Sequence, residues 1–485
     1  MSGDLVMALL VLLPLAGAIT AFSFPRWGPR IGCGVALLTL ALAVRAALDV
    51  LRQSPLTGSL GGWAVPLGIR LRVDGLSAIL LLLLAIVGLF ISIYSLQALG
   101  PARGTRGRAA RYYWPLWLFL LAALNGMFLS ADLFNLYVTL ELSGLSAVAL
   151  VALAGTKTAL DSALRYLFVS LSGSLLYLMG VALLYGACGT LDFELLAGQV
   201  TGPPGWTAMA LMTAGLMMKG ALFPLHFWLP PAHSSAPAPV SAALSALVVK
   251  GSLYILLRLW FESAGGGLTQ GTLQLLGACG AAAILWGSLQ ALVQERLKLL
   301  VAYSTVAQLG YLYLFFPLAA GGGVRVWTGG LIFLSAHAFA KAAMFLSAGN
   351  IIKAAGHDRI NDLGGITRVL PVSVFTIGLA GISLVGLPPS AGFVGKWLLL
   401  GAGLQQGQWW WVATIIVGSM LSAAYMVRLL SHAFIRDGTA TAWKAVSPGF
   451  EWSALAMAVA AFLLGFTAKL FESLLQGVVW IGGAQ

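Results

Sequence analysis

Residues 131–153, ADLFNLYVTLELSGLSAVALVAL, are long and apolar enough to cross a bilayer, yet carry an ionisable group, Glu141, at their middle. Crossing about 30 Å of hydrocarbon takes roughly 20 helical residues. A charged side chain at such a depth costs roughly 2.5–3.5 kcal/mol on insertion scales, and groups placed there as a rule line an ion or proton path. Apolar residues extend two or more turns on both sides of Glu141, so its short side chain cannot reach the interface.

Stretches of the same kind recur along the whole chain. Breaking at charged, Gly and Pro clusters predicts fourteen helices, at 5–23, 30–51, 73–98, 112–129, 132–154, 162–187, 206–227, 240–261, 272–293, 298–317, 328–352, 369–405, 409–435 and 451–475. Composition agrees: of 485 residues 60% are hydrophobic and only 9% charged, against roughly 25% charged in a soluble domain. So few charges cannot coat a water-soluble globule, which leaves an all-α polytopic membrane protein forming a single domain over 1–485. The net charge of +12 then reflects basic loops rather than nucleic acid. Cys33, Cys188 and Cys279 lie in apolar stretches without ligands at metal spacing and read as small core residues. No Gly-rich phosphate loop or metal-ligand cluster is visible, so no cofactor or metal is expected. The first helix lacks a basic leader and reads as a retained span.

Loop charges orient the bundle. Arg26, Arg30, Arg103, Arg106, Arg108, Arg111, Lys157, Arg165, Arg296, Lys298, Lys353, Arg359, Arg368, Arg436 and Lys444 fall on one side; Arg52, Arg70, Arg72 and Arg325 fall on the other. The positive-inside rule makes the first side cytoplasmic, with both termini outside a cell membrane.

Four lysines join Glu141 inside apolar runs. Lys219 lies in TAMALMTAGLMMKGALFPLHFW, Lys250 in SALVVKGSLYILL, Lys341 in FLSAHAFAKAAMFL and Lys396 in GLPPSAGFVGKWLLL. His337 precedes Lys341 by four residues, which puts both on one helix face. Burial lowers the proton affinity of an ammonium and a nearby carboxylate restores it, so a lysine that gains or loses such a partner can move a proton near neutral pH. Ser245, Ser304, Thr305, Gln308 and Tyr311 could hold bridging water between the charges; such residues also simply pack helices.

Helices seven and twelve share a grammar of glycine and proline beside lysine: KGALFPLHFWLPPAH at 219–233 and GLPPSAGFVGK at 386–396. Proline removes a backbone donor and frees carbonyls that only buried protein or water can satisfy. Paired breaks of this sort point to transport sites in inverted-repeat transporters. The copies lie five helices apart, so their orientations are opposite. Two inverted five-helix repeats are expected, helices 4–8 over 112–262 and helices 9–13 over 272–436.

With DLFNLYVTLELSGLSAVALVAL, ALRYLFVSLSGSLLYLMGVALLY, LMMKGALFPLHFWLPPAH, APVSAALSALVVKGSLYILLR, LLVAYSTVAQLGYL, HAFAKAAMFLSAG and GLPPSAGFVGKW, the chain resembles the proton-translocating antiporter-like subunits. These occur in Mrp-type cation/proton antiporters, complex I membrane arms and membrane-bound hydrogenases. The resemblance spans roughly 70–435. It implies fourteen helices, the same inverted repeats and a hydrated mid-membrane axis. It makes Glu141 the helix-five carboxylate, Lys219 its helix-seven partner, Lys250 the helix-eight lysine, His337 and Lys341 the helix-eleven pair and Lys396 the helix-twelve terminus. It also implies neighbouring membrane subunits, protons and sodium as partners. Pro231 stands in WLPPAH where many relatives have aspartate, so that carboxylate has no counterpart here. Lysine at 396 and the DLFNLYV run favour the D-type subunits of Mrp antiporters over a complex I-like quinone reductase or hydrogenase arm. A stand-alone transporter of an organic solute fits poorly with buried groups that are mostly lysines, and five costly charges are a poor way to build a scaffold.

Overall fold

A computed structural model of the chain describes residues 2–53, 55–99, 105–264, 270–321, 323–434 and 443–478. Arg103 and Arg436 of the loop tally lie outside the described residues. The helices are α1 (Gly3–Ser23), α2 (Gly28–Gln53), α3 (Gly75–Ala98), α4 (Thr105–Leu129), α5 (Leu133–Ala152) and α6 (Lys157–Cys188). Next come α7a (Gly202–Lys219), α7b (Leu229–Ser235), α8 (Ala238–Ser263), α9 (Gln270–Val293), α10 (Leu297–Ala319) and α11 (Gly323–Ala355). Then α12a (Pro371–Val385), α12b (Ala391–Gln405), α13 (Trp409–Phe434) and α14 (Pro448–Leu475) complete the bundle. Twelve of these are unbroken and apolar enough to cross a membrane. The seventh and twelfth crossings are the two broken ones, where the sequence expects them.

Local chemistry sets these boundaries. Asp132 caps α5 by accepting the Asn135 amide at 2.7 Å, and Thr156 and Ser390 cap α6 and α12b in the same way. The left-handed Gly386 (φ 87°) closes α12a ahead of Pro388 and Pro389. α7a stops at Lys219, two residues before Ala221, which holds φ 52° in spite of its Cβ. The carbonyls freed at the breaks find new donors: Trp228 Nε1 donates to Met218 O at 2.9 Å, and Lys396 Nζ to Leu384 O at 2.8 Å.

α8 and α11 are apolar all round and buried along their lengths, and α10 nearly so. They form the core, while α1, α2, α6, α9 and α13 turn Leu12, Leu37, Phe168, Leu275 and Val427 outward. Helices come close where glycines meet. A Cβ on Gly215 would lie 2.3 Å from the Gly173 carbonyl, and one on Gly395 would lie 2.9 Å from that of Gly329. Each pair sits beside a buried lysine, Lys219 and Lys396. Gly215→Val is expected to lower the melting temperature of the purified protein, through overpacking that costs about 1–3 kcal/mol. Gly186→Ala, in open space on α6, should leave it unchanged. Equal melting of the two variants would show that this contact is slack.

One element went unforeseen. Strands β1 (Leu56–Ser59) and β2 (Arg70–Val73) pair as an antiparallel hairpin between α2 and α3. Leu71 bridges onward to Ser130, and Asp132 to Asp192. Gly3 packs on Leu56, and Gly75 on the Leu474 carbonyl, so α1 and α14 both have an end on this hairpin face.

Candidate functional site

Glu141 on α5 and Lys219 at the end of α7a meet as an ion pair, Nζ to Oε2 at 3.5 Å. Lys219 also donates to the Leu140 carbonyl at 3.2 Å, and Ser174 Oγ donates to the same Glu141 oxygen. Gly144 makes room, since a Cβ there would stand 2.6 Å from Ser170 Oγ. Glu141 remains 20% exposed, on a side of the bundle where Val138 and Leu145 also face outward. A cavity of about 10 Å³, near the volume one water needs, joins Lys219, Ser143 and Ser170 to Val248 and Ser252 on α8.

Lys250 lies on α8 between Val248 and Ser252 in sequence, is not itself in the cavity lining, and is 1% exposed. Its Nζ donates to the Ser245 carbonyl, inside a wide π turn over Leu244–Val248. Such turns loosen the helical ladder and recur at functional sites. Ser245 Oγ is bonded to Thr305 Oγ1 on α10 at 3.0 Å. The neighbouring Ser304 Oγ takes Lys341 Nζ, which also reaches the Val301 carbonyl at 3.2 Å. One turn on, Gln308 Nε2 donates to the Leu384 carbonyl at 3.2 Å, and that carbonyl also holds Lys396. Lys396 adds bonds to Val385 O at 3.1 Å and Ser419 Oγ at 3.0 Å, and its ammonium sits 4.2 Å from the Tyr311 ring centre.

α10 is therefore the spine that joins the lysines. Val301, Ser304, Thr305 and Gln308 fall at helical spacing on one face. Among the described residues, Lys250, Lys341 and Lys396 have no carboxylate partner; hydroxyls and carbonyls hold them. His337 is buried on α11, and neither ring nitrogen has a hydrogen-bond partner among the described residues.

Residues 130–422 match the family described as NADH:quinone oxidoreductase/Mrp antiporter, transmembrane. The chain belongs to this family. It is 38% identical to the N-type subunit of the NADH-quinone oxidoreductase of Desulforudis audaxviator, over 91% of the chain and 89% of the relative. It is 32% identical to the D-type subunit of the Na(+)/H(+) antiporter of Bacillus subtilis, over 78% and 76%. A solved Mrp complex from a Dietzia species contains a chain of the same fold, with TM-score 0.90, 25% identity and coverage of 98% and 96%.

Three polar features of this family member went unassigned by sequence reasoning. His233, in WLPPAH, is fully buried and stacks on Phe345 at 4.5 Å. The signal in the sequence is a histidine just after a double-proline helix break. Lys298, counted with the loops, is buried in the first turn of α10 and donates to the Ala236 carbonyl. Its place at a predicted helix start made it look exposed. Last, Arg258 and Glu262 of α8 are buried as an ion pair, and Arg258 also pairs with Asp74. Their spacing of four from Lys250 through Tyr254 was the available signal.

Proposed function

We propose that the chain is a proton-translocating antiporter-like subunit of a multisubunit membrane complex, and that Glu141, Lys219, Lys250, His337, Lys341 and Lys396 carry the proton. The observation that carries this reading is the bonded polar line on α10, which links lysines on α8, α11 and α12b through the core. A structural protein gains nothing from burying four lysines across the middle of a bilayer. The water-sized cavity lies between Lys219 and the stretch of α8, Val248 to Ser252, that carries Lys250.

The two five-helix units, bounded at 112–262 and 272–436, stand as inverted repeats in this reading. The glycine pairs beside Lys219 and Lys396 and the two proline breaks support it. The loop charges favour a cytoplasmic face opposite the hairpin, which puts both termini outside. Glu141 then takes protons at one end of the path and Lys396 releases them toward the outer side. A carboxylate one-fifth exposed within a span calls for a cover, and a neighbouring membrane subunit is the cover that also supplies its proton. The exchanged cation is sodium, as in the names of the Na(+)/H(+) antiporter relatives. The 38% identical oxidoreductase relative favours a second reading, a proton-pumping arm of an NADH:quinone oxidoreductase.

The test is transport by the purified complex in sealed vesicles, driven by a sodium gradient or by NADH and quinone. Drive-dependent proton movement with either supports the proposal, and the effective driver selects the complex. An intact complex that moves no protons under either drive overturns it. Within it, Lys396→Glu is expected to keep measurable transport, because a carboxyl group can also take and give a proton beside Ser419. Lys396→Leu should lose it with all subunits still co-purifying. Normal transport by Lys396→Leu would make that residue a packing element.

A further inference from the structure

On α8, Lys250, Tyr254, Arg258 and Glu262 follow at intervals of four, which sets them in one stripe running from the core toward the hairpin face. Arg258 is 1% exposed, and all five of its N–H groups are engaged. Nη1 donates to Asp74 at 2.6 Å and Glu262 at 3.0 Å; Nη2 donates to Asp74 at 2.8 Å and Ser77 at 2.9 Å; Nε donates to Tyr254 at 2.9 Å. Asp74 is itself fixed, as the cap of α3, and Arg72 of the hairpin closes on Glu262. Beyond this cluster, a cavity of about 490 Å³ runs past Arg72, Asp74 and Glu262 to half-exposed Glu194. Ions at the hairpin face therefore reach Glu262, the outer end of that stripe.

We propose that Arg258 is an electrostatic plug: a fixed positive charge, clamped by Asp74 and Glu262, that keeps protons in the outer cavity from running back along α8 to Lys250. The proposal rests on the proton-path reading. A guanidinium never deprotonates in this range, so it cannot hand a proton on. A fixed arginine is a known way to bar protons and cations, and here Arg258 stands behind the Arg72, Asp74 and Glu262 that line the cavity. Tyr254 completes the block, because its hydroxyl donates to the Phe128 carbonyl at 3.1 Å while accepting from Arg258. Its one proton is thus committed away from Lys250. Lysine in place of Arg258 would offer three donors for five acceptor positions and could release its proton.

The test is passive proton permeability of the whole complex in sealed vesicles without any drive, read from an entrapped pH dye after an acid step on the hairpin side. The wild-type complex should be tight. Arg258→Gln is expected to raise proton conductance about tenfold or more, the scale of removing one unit charge at short range. Adding Lys250→Met should return it to the wild-type level, because the leak runs through Lys250. Glu262→Gln loosens the clamp and should give a smaller leak, also abolished by Lys250→Met, should Arg258→Gln fail to assemble. An assembled, tight Arg258→Gln complex overturns the plug, as does a leak that Lys250→Met leaves unchanged. In that second case Arg258 would only hold α3 against α8. Drive-dependent transport by the wild type in the same vesicles tests the underlying reading separately.

Discussion

Lys250→Arg is expected to abolish proton transport as fully as Lys250→Ala, with the complex intact. Conserving the charge does not conserve the chemistry, since a guanidinium holds its proton at any physiological pH. The site is also shaped for an ammonium: one Nζ meets the Ser245 carbonyl in the π turn, and Ser245 Oγ passes the connection to Thr305 on α10. Transport should fall to the background of empty vesicles, a loss of about 100-fold or more, in line with the 10²–10⁴-fold that a positioned proton carrier contributes. Subunit co-purification and an unchanged melting temperature check the fold. Full activity of Lys250→Arg would mean that position 250 supplies only a charge, and the relay would have to pass through His337 and water instead.

The helices and the buried charges were legible because hydrophobic length and the cost of intramembrane charge are properties of local sequence. Glu141 and Lys219 stand out in their own stretches, and the proline breaks announce themselves. What joins them was not legible in the same way. Ser304, Thr305 and Gln308 are ordinary residues for a packed membrane helix, and only the meeting of α10 with α8, α11 and the α12 break gives them partners. The hairpin escaped for a related reason. LTGS and RLRV are four-residue strands without long alternation, and their pairing depends on the bridges to Ser130 and on the arginines closing over Asp192, Glu194 and Glu262. Lys298 shows the converse error. A basic residue at a helix start usually faces water, but the α7b–α8 junction folds over it and offers the Ala236 carbonyl and Ser241 hydroxyl.

Glu141→Ala should silence the path at its other end. The carboxylate accepts from Lys219 at 3.5 Å and from Ser174, and when it is gone the Leu140 carbonyl is the one partner left to Lys219 among the described residues. Breaking a buried pair by removing one partner costs about 3–5 kcal/mol when the remaining group stays charged. Without that partner the two groups no longer exchange a proton, and none is handed from Lys219 across the cavity toward α8. Transport in vesicles should therefore drop to background although the complex assembles, because deleting the group removes no helix contact beyond its own side chain. Glu141→Asp separates charge from reach: it restores the carboxylate one methylene short of Lys219, and partial transport is expected. Near wild-type transport by Glu141→Ala would show that protons enter elsewhere. Fully buried His233, on α7b toward the end of the bundle that is cytoplasmic in the proposed orientation, would then be the first place to look, since its ring nitrogens have no bond among the described residues and it stacks on Phe345, four residues from Lys341.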